Sequence, residues 1–162
     1  MLPSIMIRQK DNSPYQQGLD KLREMIELRL PENLRPHLIP SVFESEAVLQ
    51  DLCLMSGGYA RDLVQLMQEA INKTDSLPIR SRAVQRAADD LRDVYRRAVE
   101  EEQWAVLREV HQEKSIENQE MERSLLFSRC VLEYRYFDDN GDKQTWYDAH
   151  PLLWKELGVN AP

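Results

Sequence analysis

The chain has 162 residues, carries a formal net charge of −7 at pH 7 and contains only 5 glycines. This length accommodates one domain or two small ones, and the scarcity of glycine favours helices over a glycine-rich β fold. The acidic balance opposes broad electrostatic binding to nucleic acid, while a local basic patch stays open.

Three further features of the sequence exclude classes of protein. No apolar run approaches the roughly 18 residues that a membrane-spanning helix needs, so we expect a cytoplasmic protein with no membrane contact. Cys53 and Cys130 lie far apart in apolar surroundings, which predicts buried, reduced thiols. Because neither a CxxC pair nor an HExxH motif occurs, we expect no metal site.

The first half of the chain is predicted to hold a strand and three helices. The apolar residues 1–7 are typical of a β-strand, whose unpaired edges imply that its sheet partners are missing or lie in another chain. Amphipathic periodicity predicts helices over about 15–30, 45–55 and 60–72, interrupted by a proline-rich loop and by a two-glycine break. The inward side chains expected on the third helix are Leu63, Val64, Met67, Ala70 and Ile71.

A long helix is predicted next, over about 81–101, with Ser81 as its N-cap. Its inward stripe is expected to include Val94. The outward positions carry arginines and aspartates at i,i+3 and i,i+4 spacing, which predicts a salt-bridged solvated face rather than a nucleic-acid stripe. The residues of this series are Arg80, Arg82, Arg86, Asp89, Asp90, Arg92, Asp93, Arg96 and Arg97.

The remainder of the chain has the layout helix, turn, helix and hairpin. Helices are predicted over about 102–112 and 118–128, the second with Met121 facing inward. Alternating residues then predict two strands joined by an Asn-Gly turn. The strands are expected at 130–137 and 144–148, and a short helix at 152–157 follows. This order resembles a winged helix-turn-helix.

The most informative local pattern is the break Gly57-Gly58, followed by a helix whose first turn carries Arg61. Glycines permit a tight positive-φ connection, and an arginine at a helix start is placed to meet a phosphate. Between two helices of a small bundle, this pattern resembles the second sensor motif of AAA-type ATPases. The resemblance implies that Arg61 senses the nucleotide phosphate, with Gly57, Gly58 and Tyr59 beside it.

Each of these residues also has a structural interpretation that involves no nucleotide. Arg61 is then a surface arginine that pairs with Asp62 or another acid. The glycines cap a helix and permit close packing, and Tyr59 packs between the lid helices.

The tail is similar to the winged-helix extensions that follow the lid in some bacterial ATPases. The matching segments are Leu125-Leu126, Val131-Leu132-Glu133-Tyr134, Asn140-Gly141, Trp146-Tyr147 and His150-Pro151-Leu152-Leu153. The resemblance implies a mainly α fold: a helical lid-type bundle with a leading strand over residues 1–79, then a winged-helix-like unit with a β-hairpin over residues 80–162. We expect His150, which precedes a proline at a helix start, to make a structural hydrogen bond.

The nucleotide-binding core of such an ATPase is missing from this sequence. No phosphate-binding loop of the form GxxxxGK[ST] occurs, and both Walker elements and the first sensor are absent. We therefore expect a non-catalytic regulatory fragment without a cofactor of its own, ATP and Mg²⁺ belonging to the parent protein. The expected partners are the ATPase core domain and a protein bound by the winged-helix unit.

Two other functions stay open. One is a stand-alone winged-helix regulator that binds DNA, which is opposed by Glu117, Glu120 and Glu122 around the predicted recognition helix, since acids repel the phosphate backbone. The other is a helical protein-interaction adaptor with no link to a nucleotide.

Overall fold

The computed structural model describes residues 3–158 and shows a mainly helical chain that ends in a two-stranded antiparallel hairpin, as predicted. The helices are α1 (Gln16–Arg29), α2 (Glu46–Met55), α3 (Ala60–Asn72), α4 (Ser81–Ala98), α5 (Gln103–Glu113) and α6 (Glu120–Phe127). The strands are β1 (Val131–Phe137) and β2 (Lys143–Ala149), and short helical turns cover Arg35–His37, Leu38–Val42 and Pro151–Leu157. Within residues 3–158, no helix combines the length and apolarity that crossing a bilayer requires.

Capping explains the start of α2 but not the start of α4. Ser45 precedes α2 with extended backbone, and its hydroxyl accepts a hydrogen bond from the Val48 N–H at 3.4 Å, as an N-cap does. The prediction that Ser81 caps α4 is wrong: Ser81 is the first helical residue, and Arg80 occupies the cap position without a side-chain hydrogen bond. α4 also ends earlier than predicted, because the backbone of Val99 is extended.

Three side chains that were predicted to face inward lie at the surface. The exposed fractions are 42% for Ile71, 60% for Val94 and 43% for Met121. On α4 the buried stripe runs through Leu91 and Tyr95. With 3.6 residues per turn, a residue four positions after Leu91 stays closer to that stripe than a residue three positions after it. Tyr95 therefore takes the inward place, and Val94 is turned aside.

The hairpin carries one apolar face. Tyr134 of β1 lies opposite Trp146 of β2, and the two rings stack with centroids 4.6 Å apart. With Leu132 they form a small buried group, the hairpin cluster, of the kind that stabilises antiparallel pairs. At the tip, the Asp138 carboxylate accepts the backbone N–H of Asp142 at 2.9 Å. The predicted hairpin and its Asn-Gly turn are confirmed.

Residues 3–8 form an extended segment that pairs within the chain. Ser4 donates its N–H to the carbonyl of Glu133 in β1 at 2.9 Å, and Ile5 donates its N–H to the carbonyl of Gly58 at 2.9 Å. The prediction of a leading strand is therefore wrong for residues 3–7, because their pairing with β1 is an isolated bridge. The prediction that the pairing partners are missing or lie in another chain is also wrong, because these partners belong to the same chain. The first two residues of that predicted strand lie outside the described residues.

One buried core runs through both halves of the chain. α4 packs against α2 and α3 and also contacts the C-terminal helical turn. The core includes leucines from five helices: Leu22, Leu52, Leu66, Leu107 and Leu125. Burial of each such side chain contributes roughly 1.5–3 kcal/mol. Through this core, the beginning of α3, the middle of α4 and the end of β2 come together.

Candidate functional site

The Gly57-Gly58 turn joins α2 to α3 and sets where α3 begins. The two glycines have φ values of +65° and +80°, a conformation that other residues rarely adopt. Both also lie too close to their neighbours for a side chain. A Cβ at Gly57 would collide with Leu132, and a Cβ at Gly58 would collide with the carbonyl of Ile5. Close packing of the hairpin and the N-terminal segment therefore requires both glycines.

The backbone polar groups of the two glycines are used inside the protein. The Gly57 N–H donates to the carbonyl of Leu54 at 3.2 Å, and the Gly58 N–H donates to Ser56 Oγ at 3.1 Å. The Gly57 carbonyl accepts the Tyr134 hydroxyl at 2.6 Å. Both glycines are buried, and both N–H groups are already bonded within the described chain.

Tyr59 is half-buried and packs against the hairpin cluster. The guanidinium carbon of Arg129 lies 4.8 Å from the centroid of its ring, which is a cation–π contact. The structural role expected for Tyr59 was packing between lid helices. It packs on the hairpin instead, because the glycine turn brings the start of α3 against that surface.

Arg61 lies exposed on the first turn of α3. Its side chain makes no hydrogen bond or ion pair with any residue from 3 to 158. The surface pairing with Asp62 is wrong, because Asp62 is only 3% exposed and faces the core. The guanidinium of Arg61, with its five N–H donors in a planar fork, is thus open to a ligand with phosphate or carboxylate oxygens.

Asp62 is the centre of a buried network that joins three elements. Its Oδ2 accepts the Tyr95 hydroxyl of α4 at 2.6 Å and lies 2.8 Å from His150 Nε2, just after β2. His150 Nδ1 accepts the Leu152 N–H at 3.2 Å, so the proton of the neutral ring is on Nε2 and points at the carboxylate. Tyr95 and His150 also stack, with centroids 4.3 Å apart. We call these three side chains, Asp62, Tyr95 and His150, the Asp62 network.

Burial determines what this network does chemically. Asp62, Tyr95 and His150 are between 0% and 8% exposed, and burial raises the pKa of the Tyr95 hydroxyl, with the neighbouring Asp62 charge adding to the effect. The hydroxyl therefore stays protonated and acts as a hydrogen-bond donor. A carboxylate, an imidazole and a hydroxyl are also the parts of a nucleophilic triad, but here all three side chains are buried in the core.

The structural hydrogen bond expected of His150 is confirmed. Its partners Asp62 and Tyr95 were not predicted, because Asp62 lies 88 positions away in the chain. The available signal was weak: Asp62 stands one position before Leu63 on the inward side of an amphipathic helix. A carboxylate on such a face requires a buried donor, but nothing local identifies the donor.

A second buried carboxylate, Asp148, ties the hairpin to α5 and to the residue that follows that helix. Its Oδ1 lies 2.6 Å from His111 Nδ1, and its Oδ2 lies 2.7 Å from Lys114 Nζ. Lys114 also donates to Asn12 Oδ1 at 2.9 Å. Nearby, the buried guanidinium of Arg8 donates to a backbone carbonyl of α2, and burial lowers the pKa of Arg8 to about 10.

A groove of about 800 Å³ opens between the N-terminal segment, the start of α1 and the hairpin. Lys10 and Lys21 line one wall, and Tyr136, Phe137 and Trp146 line the other. Phe137 is 74% exposed. We call this feature the hairpin groove.

Among residues 3–158, no three His, Cys, Asp or Glu side chains form a group suited to a metal ion. Cys53 and Cys130 are buried and free, as predicted. No protein-family model, curated protein or solved structure matches the chain. The resemblance to an ATPase lid therefore depends on the residues themselves and on the surroundings of Arg61.

Proposed function

We propose that this chain is the C-terminal regulatory region of an AAA-type ATPase, which senses bound nucleotide through Arg61 and relays that state to a protein partner. In this proposal α1–α3 correspond to the helical lid, and α4–α6 with the hairpin correspond to a winged-helix unit. The proposal rests on the contrast between two neighbouring residues. Arg61 is exposed and its side chain has no partner in the described chain. Asp62 is buried and contacts two elements of the second unit.

The Asp62 network supplies the relay. A phosphate that binds the Arg61 guanidinium pulls on the first turn of α3. The same turn carries Asp62, so a shift there changes the hydrogen bonds to Tyr95 on α4 and to His150 at the base of the hairpin. Hydrogen bonds to a charged group contribute roughly 1.5–3 kcal/mol each. A difference of this size between two lid positions is enough to shift a conformational equilibrium.

Charge favours a protein over DNA as the partner of the second unit. Glu120 lies exposed on α6, and an acid at this position repels DNA phosphates. Met121 beside it is 43% exposed. The hairpin groove offers the exposed aromatic side chain of Phe137 instead, which suits a protein partner. The proposed output is therefore a contact between the hairpin groove and another protein.

The native assembly tests this proposal. An antibody against the chain should recover from its source a protein well above 19.1 kDa, or a complex that holds an ATPase core. In that assembly, Arg61→Ala should lower ATP turnover at least tenfold, as loss of a transition-state donor does. Gln68→Ala, at an exposed position on the same helix, is the matched control and should leave turnover unchanged.

Limited proteolysis tests the relay through the Asp62 network separately. Tyr95→Phe should keep nucleotide affinity but reduce the nucleotide-dependent protection of the hairpin from limited proteolysis. Unaltered turnover and unaltered nucleotide affinity in Arg61→Ala would exclude the sensor role. A native mass of 19.1 kDa with no ATPase core in the complex would favour the adaptor instead.

A further inference from the structure

Positive charge is concentrated on the surface where α3 ends and α4 begins. A cleft of about 330 Å³ there is lined by Lys73, Arg80, Arg82 and Arg86. Asp75 is the acid among the described residues that line it. The concentration is notable because the chain as a whole has a net charge of −7.

The arginines of this cleft differ from Arg92 and Arg96, which lie farther along α4. Arg80, Arg82 and Arg86 are exposed, and their side chains make no ion pair or hydrogen bond within the described chain. Farther along, Arg92 pairs with Asp89 and Arg96 pairs with Asp93. The salt-bridged face predicted from the sequence is therefore confirmed at Arg92 and Arg96 and wrong for Arg80, Arg82 and Arg86 among the described residues.

Like charges come close together in the cleft. Lys73 binds Asp90 at 2.6 Å, and that hydrogen bond raises the pKa of Lys73, while the positive charge of Arg86 opposes the rise. Arg82 and Arg86 are four positions apart on α4 and so lie on the same side of the helix. Because no acid pairs with Arg82 or Arg86 among the described residues, their two guanidinium groups repel one another. A bound anion would relieve this repulsion.

The arrangement of charge selects the kind of anion. Guanidinium forks match the oxygens of phosphate groups. The positive strip is short, because Asp89, Asp90 and Asp93 follow Arg86 on the exposed side of α4. A long phosphodiester backbone that ran on along α4 would meet those acids, whereas a short chain of linked phosphates would not.

We propose that the cleft formed by Lys73, Arg80, Arg82 and Arg86 binds a short oligophosphate, such as the phosphate chain of a nucleotide or an inorganic polyphosphate. The site is independent of Arg61. Arg61 lies at the opposite end of α3, and the rise of an α-helix puts about 18 Å between the two ends.

Isothermal titration of the whole chain with sodium tripolyphosphate tests the site, at an ionic strength kept constant with NaCl. We expect saturable binding of one molecule, which Arg82→Gln/Arg86→Gln weakens at least tenfold. The matched control is Arg96→Gln/Arg97→Gln, which removes the same charge from exposed positions on the same helix outside the cleft. This control and Arg61→Gln should each change the affinity less than twofold. Circular dichroism of each variant confirms that it is folded.

Two competition experiments distinguish the kinds of phosphate ligand. ATP should compete with tripolyphosphate, and a single-stranded DNA oligonucleotide of twenty residues should compete more weakly per molecule. Absence of saturable binding, or equal weakening by the control pair, would overturn the proposal. DNA that binds more tightly than tripolyphosphate through the same arginines would replace the oligophosphate with a nucleic-acid backbone.

Discussion

Asp62 and Asp148 are two carboxylates buried to the same degree, each 3% exposed, yet they are stabilised differently. Asp148 has a cation, Lys114, at 2.7 Å, whose ammonium also reaches the exposed Asn12. Asp62 has only neutral partners, a phenol and an imidazole. A buried charge is tolerated either by an opposite charge or by donors aimed at it. The donors of Asp62 are fixed on α4 and beside β2, so its stability depends on how those elements are placed.

This difference predicts that loss of Asp62 is the most damaging change. Asp62→Ala leaves the Tyr95 hydroxyl and the His150 N–H buried without acceptors, at a cost of roughly 1–3 kcal/mol each. We expect the free energy of unfolding to fall by about 3 kcal/mol in urea titrations. Arg61→Ala, one position earlier but exposed, should change it by less than about 0.5 kcal/mol. Equal effects of the two substitutions would show that the Asp62 network contributes nothing to stability.

Asp148→Ala should be less damaging, with a loss of about 2 kcal/mol. The side chain of Lys114 is 10% exposed, and its long flexible stem lets the ammonium turn toward water when its partner is removed. A double-mutant cycle with Lys114→Met measures the pair directly. The coupling energy should be about 1–2 kcal/mol, because a partly buried pair lies between the surface and interior limits. Coupling near zero would mean that Asp148 depends on His111 alone.

Tyr95→Phe should have the smallest effect, about 1 kcal/mol, because it removes one hydrogen bond and keeps the stacking on His150. The folded pKa of Tyr95 is raised above its ordinary value of 10. The contribution of its protonated hydroxyl is thus fully present below pH 10 and is lost as the pH rises toward the folded pKa. The stability difference between the two proteins should therefore be constant from pH 6 to pH 9 and shrink above pH 10. A difference that changed between pH 6 and pH 9 would contradict this account of Tyr95.

Local patterns predicted the elements well. The bounds predicted for α3, residues 60–72, agree with the structure, because amphipathic periodicity and the Gly57-Gly58 break are both encoded in neighbouring residues. The hairpin followed from alternation and an Asn-Gly turn for the same reason. The errors, at residues 3–7 and at Val94, concern which surface a segment meets. That depends on residues far away in the sequence.

The residues of the candidate site also divide into those that a local sequence pattern predicts and those that it does not. The sequence indicated Arg61, since an arginine after a glycine break is a local pattern, and it indicated that His150 makes a structural hydrogen bond. It did not indicate that Asp62 receives that bond, or that the side chains of Arg80, Arg82 and Arg86 pair with no acid among residues 3–158. Both facts depend on distances between side chains on different elements.

The helices, the hairpin, the buried thiols and the exposed position of Arg61 follow from the amino-acid sequence alone, because hydrophobic period, turn chemistry and polarity act over a few residues. Three features depend on the folded chain as a whole: the N-terminal segment pairs with β1, both glycines permit close approach, and Asp62 joins α3 to Tyr95 and His150. Such contacts join residues far apart in the chain, 88 positions in the case of Asp62 and His150. Their geometry is fixed by the packing of the whole core, and no local pattern contains it.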